Sequence, residues 1–422
     1  MTKWFHRPQE EGETLDLKFW RALGPGVLFA GAAIGTSHLV QSTRAGALFG
    51  LGFLSIIIFA NLIKYPAFSF GPAYTAATGE SLINGYARIG KWVVAVVSLG
   101  LLLVQAIIIA ATAITTAGIA ASVLGLEANA QYLGVGLIAL SILIVRIGGY
   151  GVLDNLTKVF IATLTLCTIA ATIMAIPSVD WVFTVEPFHS ADPAVFIFAV
   201  AVMGFMPSAV DLSILHSLWA VEKRKSAEFD AERSSLDFNI GYIGTAFLAI
   251  CFLIMGAGVL HSSGTEPASS APAFAGQVIS LYTTSLGGWS GVIVGVSALA
   301  VMFTTLLAII DGAPRMQSAC LKIFVTSDEE LPHQTSITIV LSVMGSLVLL
   351  FAMSSFTTFI DFVTTTSFIV GPVIALFNHL AITSDAVPLN QRPTQVMLVW
   401  SWIGIAAMSI VTLLYFYYQL VG

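Results

Sequence analysis

The chain has 422 residues, 57% of them hydrophobic and 9% charged, with a formal net charge of −6 and a mean hydropathy of +0.91. Soluble domains carry roughly 25% charged residues, so this composition excludes a soluble globular enzyme and describes a polytopic membrane protein. No basic face points to nucleic acid. Cys167, Cys251 and Cys320 stand far apart in apolar tracts, which frames neither a disulfide core nor a thiolate metal site.

Residues 1–22 hold Glu10, Glu11, Glu13 and Asp16 among basic and aromatic residues, a pattern that is no cleavable signal peptide and reads as a cytoplasmic tail. Windows of about 20 apolar residues then give eleven spans, at 23–49, 52–77, 92–124, 131–147, 152–177, 193–219, 237–261, 288–312, 335–354, 357–383 and 396–420. Fifteen of the 17 basic residues, Arg88, Arg146, Lys223, Arg315 and Lys322 among them, fall in connections on the side of the N-terminus. Arg44 and Lys64 lie inside spans, and the opposite loops carry only acidic charge, such as Glu127, Asp180, Glu186, Asp192 and Glu266. The positive-inside rule puts the N-terminus in the cytoplasm and, with an odd number of spans, the C-terminus outside. The expected setting is a bacterial inner (plasma) membrane.

The first span is interrupted in its middle by the helix-poor polar run Gly35-Thr36-Ser37-His38, which divides it into two tracts of about half a bilayer each at ~1.5 Å per residue. The sixth span repeats the design, with Met206-Pro207-Ser208-Ala209-Val210-Asp211 between two apolar tracts. Proline removes a donor and clashes with the preceding turn. Non-helical backbone at mid-depth is tolerated only beside protein or a water-filled cavity, and interrupted helices at matching positions of two halves point to an inverted-repeat transporter site. The predicted architecture is therefore all-α, a leucine-transporter fold. Repeat 1 covers 23–177 (helices 1–5, helix 1 broken near 35–38) and repeat 2 covers 193–383 (helices 6–10, helix 6 broken near 206–211). An eleventh helix follows at 396–420.

The chain also resembles the Nramp family of metal-ion transporters over most of its length. The resemblance rests on Gly24-Pro25-Gly26 and Ala45-Gly46-Ala47 in the first span, Thr78-Gly79 after the second, and Met206-Pro207 and Leu215-His216-Ser217 in the sixth. It implies the same fold and proton-coupled import of divalent transition metals. Where the family's first break reads Asp-Pro-Gly-Asn, with Asp and Asn as metal ligands, this chain has Gly35 and His38. Where the sixth break reads Met-Pro-His-Asn, it has Met206-Pro207-Ser208-Ala209, and the interval to Leu215-His216-Ser217 is three residues longer. The acidic residues of the family's third span, linked to proton movement, appear as Ala113 and Thr116. Thr365 stands where a family glutamine supports the metal.

The candidate substrate-binding residues are Gly35, Thr36, Ser37 and His38 of the first break, Met203, Met206, Pro207, Ser208 and Asp211 of the sixth, and Thr365. His38 can ligate a borderline metal, bond an organic carboxylate, or be satisfied by a neighbouring carbonyl. The Met206 thioether is a soft ligand or a gap-filler, and Met203 offers its carbonyl. Asp211, the one carboxylate in either broken helix, can balance a cation, accept a proton, or cap the second half-helix before Leu212. His38, Met206 and Asp211 form the candidate metal set. Coupling-ion candidates are Asp211, His216 and the hydroxyl pair Thr304-Thr305, of the kind that many leucine-transporter-fold proteins use for sodium. Asp361, one turn from the outer end of the tenth span, reads as a solvated cap.

No phosphate loop, His-Glu-x-x-His or nucleophile elbow appears, so neither an enzyme nor an ATP-driven pump is expected, and no cofactor. The expected function is secondary active import by alternating access of a divalent cation of the Mn/Mg class, coupled to H⁺ or Na⁺. Gly35 in place of the family Asp removes a charge and suggests room for something larger. That leaves a small organic solute as the alternative, with a non-transporting sensor on a transporter scaffold as a third reading. The expected partners are that solute and the lipid bilayer; the sequence leaves the oligomeric state open and is compatible with a monomer.

Overall fold

Apolar tracts in lipid can satisfy their backbone groups only as helices or closed barrels, and among the described residues every regular element is helical. The computed structural model describes residues 25–147, 150–181, 192–224, 231–325, 334–353 and 355–421. The tail expected over 1–22, Gly24, Glu186, Lys225 and the middle of the loop around it lie outside them.

The elements in order are α1 (Pro25–Ala33), a π-helical segment (Ser37–Ser42) continuing into α2 (Thr43–Phe49), α3 (Leu54–Thr78), α4 (Leu82–Ile89), α5 (Lys91–Leu124), α6 (Ala130–Ile147) and α7 (Tyr150–Ala175). Then come α8 (Pro193–Gly204), α9 (Leu212–Arg224), α10 (Ala231–Met255) running into a π-helical turn (Gly256–His261), α11 (Ala271–Leu286), α12 (Ser290–Lys322), α13 (Gln334–Phe351), α14 (Phe356–Thr383) and α15 (Gln395–Val421). Nine helices among the described residues are long and apolar enough to cross a membrane. The first and sixth spans, each split in two, complete the eleven.

Two details differ from the sequence reading. The first break is a bend at 34–36, and Ser37 and His38 already belong to the π-helical segment that follows. The stretch between the seventh and eighth spans is not all loop. It contains α11, which has a proline in its first turn and buries Phe274, Ala275, Val278, Leu281 and Tyr282 at helical spacing. A span-length window passes over so short an amphipathic helix.

The two halves pack by one rule. α1 lies on α10, the seventh span, as α9 lies on α3, the second; α12 packs on α7 as α14 packs on α5; α13 packs on α5 as α12 packs on α6. Each pair becomes its counterpart when five is added to or taken from each span number, which is the signature of the inverted repeat. Glycines set the closest approaches. A Cβ on Gly26 would come within 2.0 Å of the Asp237 carbonyl oxygen, and one on Gly46 within 2.0 Å of that of Leu253. These motif glycines therefore let both halves of the first span lie directly on α10. The Asp237 carboxylate accepts the Gly26 N–H at 2.7 Å, satisfying an orphan donor at the start of α1.

Candidate functional site at the paired helix breaks

α1 stops at Ala33 and α8 at Gly204, so each leaves backbone carbonyls unpaired in the middle of the bundle. Between the breaks lies a cavity of about 60 Å³. Its polar wall is made by Thr36 and Ser37 of the first break, Ser208 and Asp211 of the sixth, Gln105 and Thr112 of α5, and Thr305 of α12. From there it runs along α9 and α12 past Leu215 and Ile309 to Met316, toward the end of the bundle that carries Arg224 and Lys322.

Asp211 is 5% exposed. Its Oδ2 accepts from Gln105 Nε2. It stands directly before Leu212, the first residue of α9, and lines the cavity. Around it, Thr36 Oγ1 donates to Thr115 Oγ1 at 3.3 Å, Thr116 Oγ1 lies 3.3 Å from the Met302 carbonyl oxygen, and Thr305 Oγ1 donates to the Gly31 carbonyl at 3.0 Å. Thr115 of the third span and Thr305 of the eighth thus bond to groups of the first span, while Thr116 ties the third span to the eighth.

Several predicted residues sit elsewhere. His38 is fully buried with Nε2 2.8 Å from the Thr245 carbonyl oxygen, while Nδ1 lies 2.6 Å from Ser37 Oγ and 3.0 Å from the Ala33 carbonyl oxygen. Both ring nitrogens are used against α10 and the end of α1, so the imidazole staples the break instead of lining it. Met206 is also fully buried, with its sulfur 3.7 Å from Ser42 Oγ. Consequently His38, Met206 and Asp211 do not assemble as a metal set. Among the described residues no group of three or more His, Cys, Asp and Glu side chains could hold a metal ion. Gly35 opens no extra room, because a Cβ there would meet the Thr305 methyl at 3.4 Å and the Met302 sulfur at 3.6 Å. Pro207 and Thr365 do not line the cavity.

Of the hydroxyl pair only Thr305 lines the cavity; Thr304 Oγ1 bonds back to the Val301 carbonyl of its own helix at 2.9 Å. His216 stacks between Phe29 and Phe238, with ring centroids at 5.8 and 5.6 Å, and its Nδ1 has no partner.

Asp361 is not a solvated cap. Arg44 NH1 and NH2 bind its two carboxylate oxygens at 2.6 and 2.9 Å, Gln41 Nε2 adds a bond at 2.9 Å, and the guanidinium lies 5.0 Å from the centre of the Phe198 ring. This cluster joins α2, α8 and α14 above the breaks, at the end opposite Arg224. Lys64, Gln105 and Arg44 are the polar groups to which the sequence alone assigned no partner. The available signal was their rarity, since a charge or amide within an apolar span needs a partner.

The sequence model of the family described as Natural resistance-associated macrophage protein-like matches residues 26–418. The chain belongs to the Nramp family. An uncharacterized Pasteurella multocida (strain Pm70) protein, PM0681, is 33% identical over 414 residues, covering 96% of this chain and 94% of that one. The fold matches the crystal structure of the Eremococcus coleocola manganese transporter in complex with an aromatic bis-isothiourea substituted compound (TM-score 0.72, 15% identity, 96% of this chain and 88% of that one). It also matches that of MhsT in complex with L-phenylalanine (TM-score 0.66, 15% identity, 97% and 100%). In this Nramp chain the motifs that carry the resemblance supply the close-packing glycines Gly26 and Gly46. At the positions where the resemblance implies metal ligands it has Gly35, His38 and Met206, none of which lines the cavity.

Proposed function

We propose that this Nramp-family chain is a secondary active transporter that moves a small, hard divalent cation of the Mg/Mn class by alternating access, with Asp211 as its anionic ligand. The observation that carries this reading is the position of Asp211: a single carboxylate among side-chain hydroxyls and the Gln105 amide, in the cavity where the two helix breaks meet. Oxygen ligands suit hard cations, and Mg²⁺ in particular keeps several waters and needs few protein carboxylates. A cavity of about 60 Å³ has room for about two waters at ~30 Å³ each. That accommodates an ion with part of its hydration shell and is too small for most amino acids. With the Met206 sulfur turned to Ser42, the soft ligand that would favour later transition metals is withdrawn.

The Arg44–Asp361 cluster serves in this reading as the closed gate on one side, and the cavity that runs to Met316 as the path on the other. Import follows if the end bearing Arg224 and Lys322 is cytoplasmic, as the charge distribution of the loops favours.

Thermal stability of the purified protein tests the reading against a panel of Mg²⁺, Mn²⁺, amino acids and small carboxylates. A ligand at 100 times its Kd stabilises by about 2.7 kcal/mol. The expected result is stabilisation by Mg²⁺ or Mn²⁺ that Asp211→Asn abolishes. Stabilisation by an organic solute alone would replace the cation with that solute, and silence across the panel would favour a non-transporting scaffold.

A further inference from the structure

A half-helix that stops at mid-depth presents carbonyls without intrahelical partners and the negative end of its dipole, so it calls for a donor or a cation. At the end of α8 this positive group is covalently part of the chain. Lys64, from the middle of α3, is fully buried. Its ammonium lies 2.5 Å from the carbonyl oxygen of Met203, 2.8 Å from that of Gly204 and 3.2 Å from that of Ser208. An ammonium has three N–H donors and no acceptor, so the three carbonyls match it one for one. The Phe368 ring, its centre 5.6 Å from the nitrogen, adds a further favourable contact for a cation. Asp211, across the break, attracts the same charge electrostatically.

A surface lysine keeps its head in water. This one gives up all its hydration for neutral carbonyls, an arrangement that resembles the coordination of a dehydrated metal ion more than a salt bridge. The cage is also positioned to matter: Met203 and Gly204 end the first half of the sixth span, and Ser208 lines the cavity with Asp211.

We infer that Lys64 is a tethered cation, whose ammonium fills the carbonyl cage at the end of α8 that a free cation would otherwise enter. Solute binding is thereby confined to the Asp211 side of the break. Lys64 is then a specificity-determining residue. It withholds from any solute the backbone oxygens of Met203, Gly204 and Ser208, and it places a fixed positive charge beside the carboxylate that must bind a second one. The inference deepens the cation-site reading above, but its test does not require transport.

The experiment is chemical rescue of purified variants, read as melting temperature in detergent. Lys64→Ala removes the ammonium and leaves space for a substitute, Lys64→Met fills the space without charge, and Lys64→Arg keeps a cation. Each is titrated with ethylammonium chloride, sodium chloride and, as an ionic-strength control, choline chloride.

The expected result is a melting temperature several degrees lower in Lys64→Ala and Lys64→Met. Ethylammonium or Na⁺, but not choline, restores Lys64→Ala in a saturable manner. Wild type and Lys64→Arg should respond to neither. In the double variant Lys64→Ala/Asp211→Asn the rescue should persist, which separates this cage from the Asp211 site and keeps the outcome independent of whether Asp211 binds a divalent ion. Failure of both neutral variants to fold while Lys64→Arg folds would also support a required charge. The proposal is overturned if Lys64→Met melts with the wild type, if Lys64→Ala gains no selective response to the small cations, or if all three variants fail alike.

Discussion

Arg44 is buried to 7% side-chain exposure and spends both terminal nitrogens on Asp361, which remains 29% exposed. Removing one partner of a buried pair leaves an uncompensated charge, which costs roughly 3–5 kcal/mol when both are fully buried. The partial exposure of Asp361 reduces this, so Asp361→Asn should destabilise the protein by about 2 kcal/mol. In the transport reading it should also loosen the closed side. Cysteines introduced beneath the pair should then label faster with a membrane-impermeant thiol reagent, and unchanged labelling would remove the gate role. Arg44 and Lys64 could be recognised in the sequence as charges inside apolar spans, and therefore as residues needing partners. Their partners, 317 and about 140 positions away, could not be read, because no local periodicity connects residues brought together only by folding.

At the scale of elements, the two broken spans were legible because helix-poor runs interrupt otherwise continuous apolar tracts. In the structure the regular elements stop and resume around 205–211 in the sixth span and 34–36 in the first. Side-chain direction at the breaks was not legible. Ser37 and His38 are adjacent, yet one lines the cavity and the other turns to Thr245. The π-helical winding from Ser37 to Ser42 shifts every following side chain relative to an ordinary helix, and such a bulge has no reliable sequence signature.

Helix contact also yields a prediction. Gly46→Leu would drive a side chain into backbone 2.0 Å from its Cβ and should cost about 3 kcal/mol or more by overpacking. Gly136→Ala, whose added Cβ meets nothing within 4 Å, should be neutral or stabilising by up to about 1 kcal/mol through helix propensity. Melting temperatures of the two variants check the contrast, and equal effects would mean that the glycine is not what sets the α2–α10 approach.

For the whole molecule, the inverted repeat places each broken helix against the other half, so α1 is pinned by Asp237 and Gly241 of α10 as α9 is held on α3. Transport by alternating access requires these contacts to exchange as one half moves against the other. Coupling belongs to this scale too. Thr305 Oγ1 lies 3.0 Å from the Gly31 carbonyl oxygen and lines the cavity, whereas Thr304 Oγ1 is bonded back to Val301 and does not line it, so the cavity has one hydroxyl of the pair and not two. Replacing Na⁺ by choline should therefore leave uptake by proteoliposomes unchanged, and a fall in uptake would assign sodium as the coupling ion.

Composition and hydropathy by themselves determined the membrane setting, the spans and the two interruptions, because lipid permits so few backbone solutions that apolar length and helix-poor runs suffice to read them. The packing glycines and the family resemblance were likewise written in short local motifs. Only the tertiary structure decided which polar atoms meet. His38 and Met206 are withdrawn into packing contacts, Asp211 is left in the cavity with Gln105, and Lys64 takes the carbonyls at the end of α8. The physical reason is that a buried polar group takes whichever partner the fold brings within hydrogen-bond distance, and in a bundle of long helices those partners come from spans far apart in the chain.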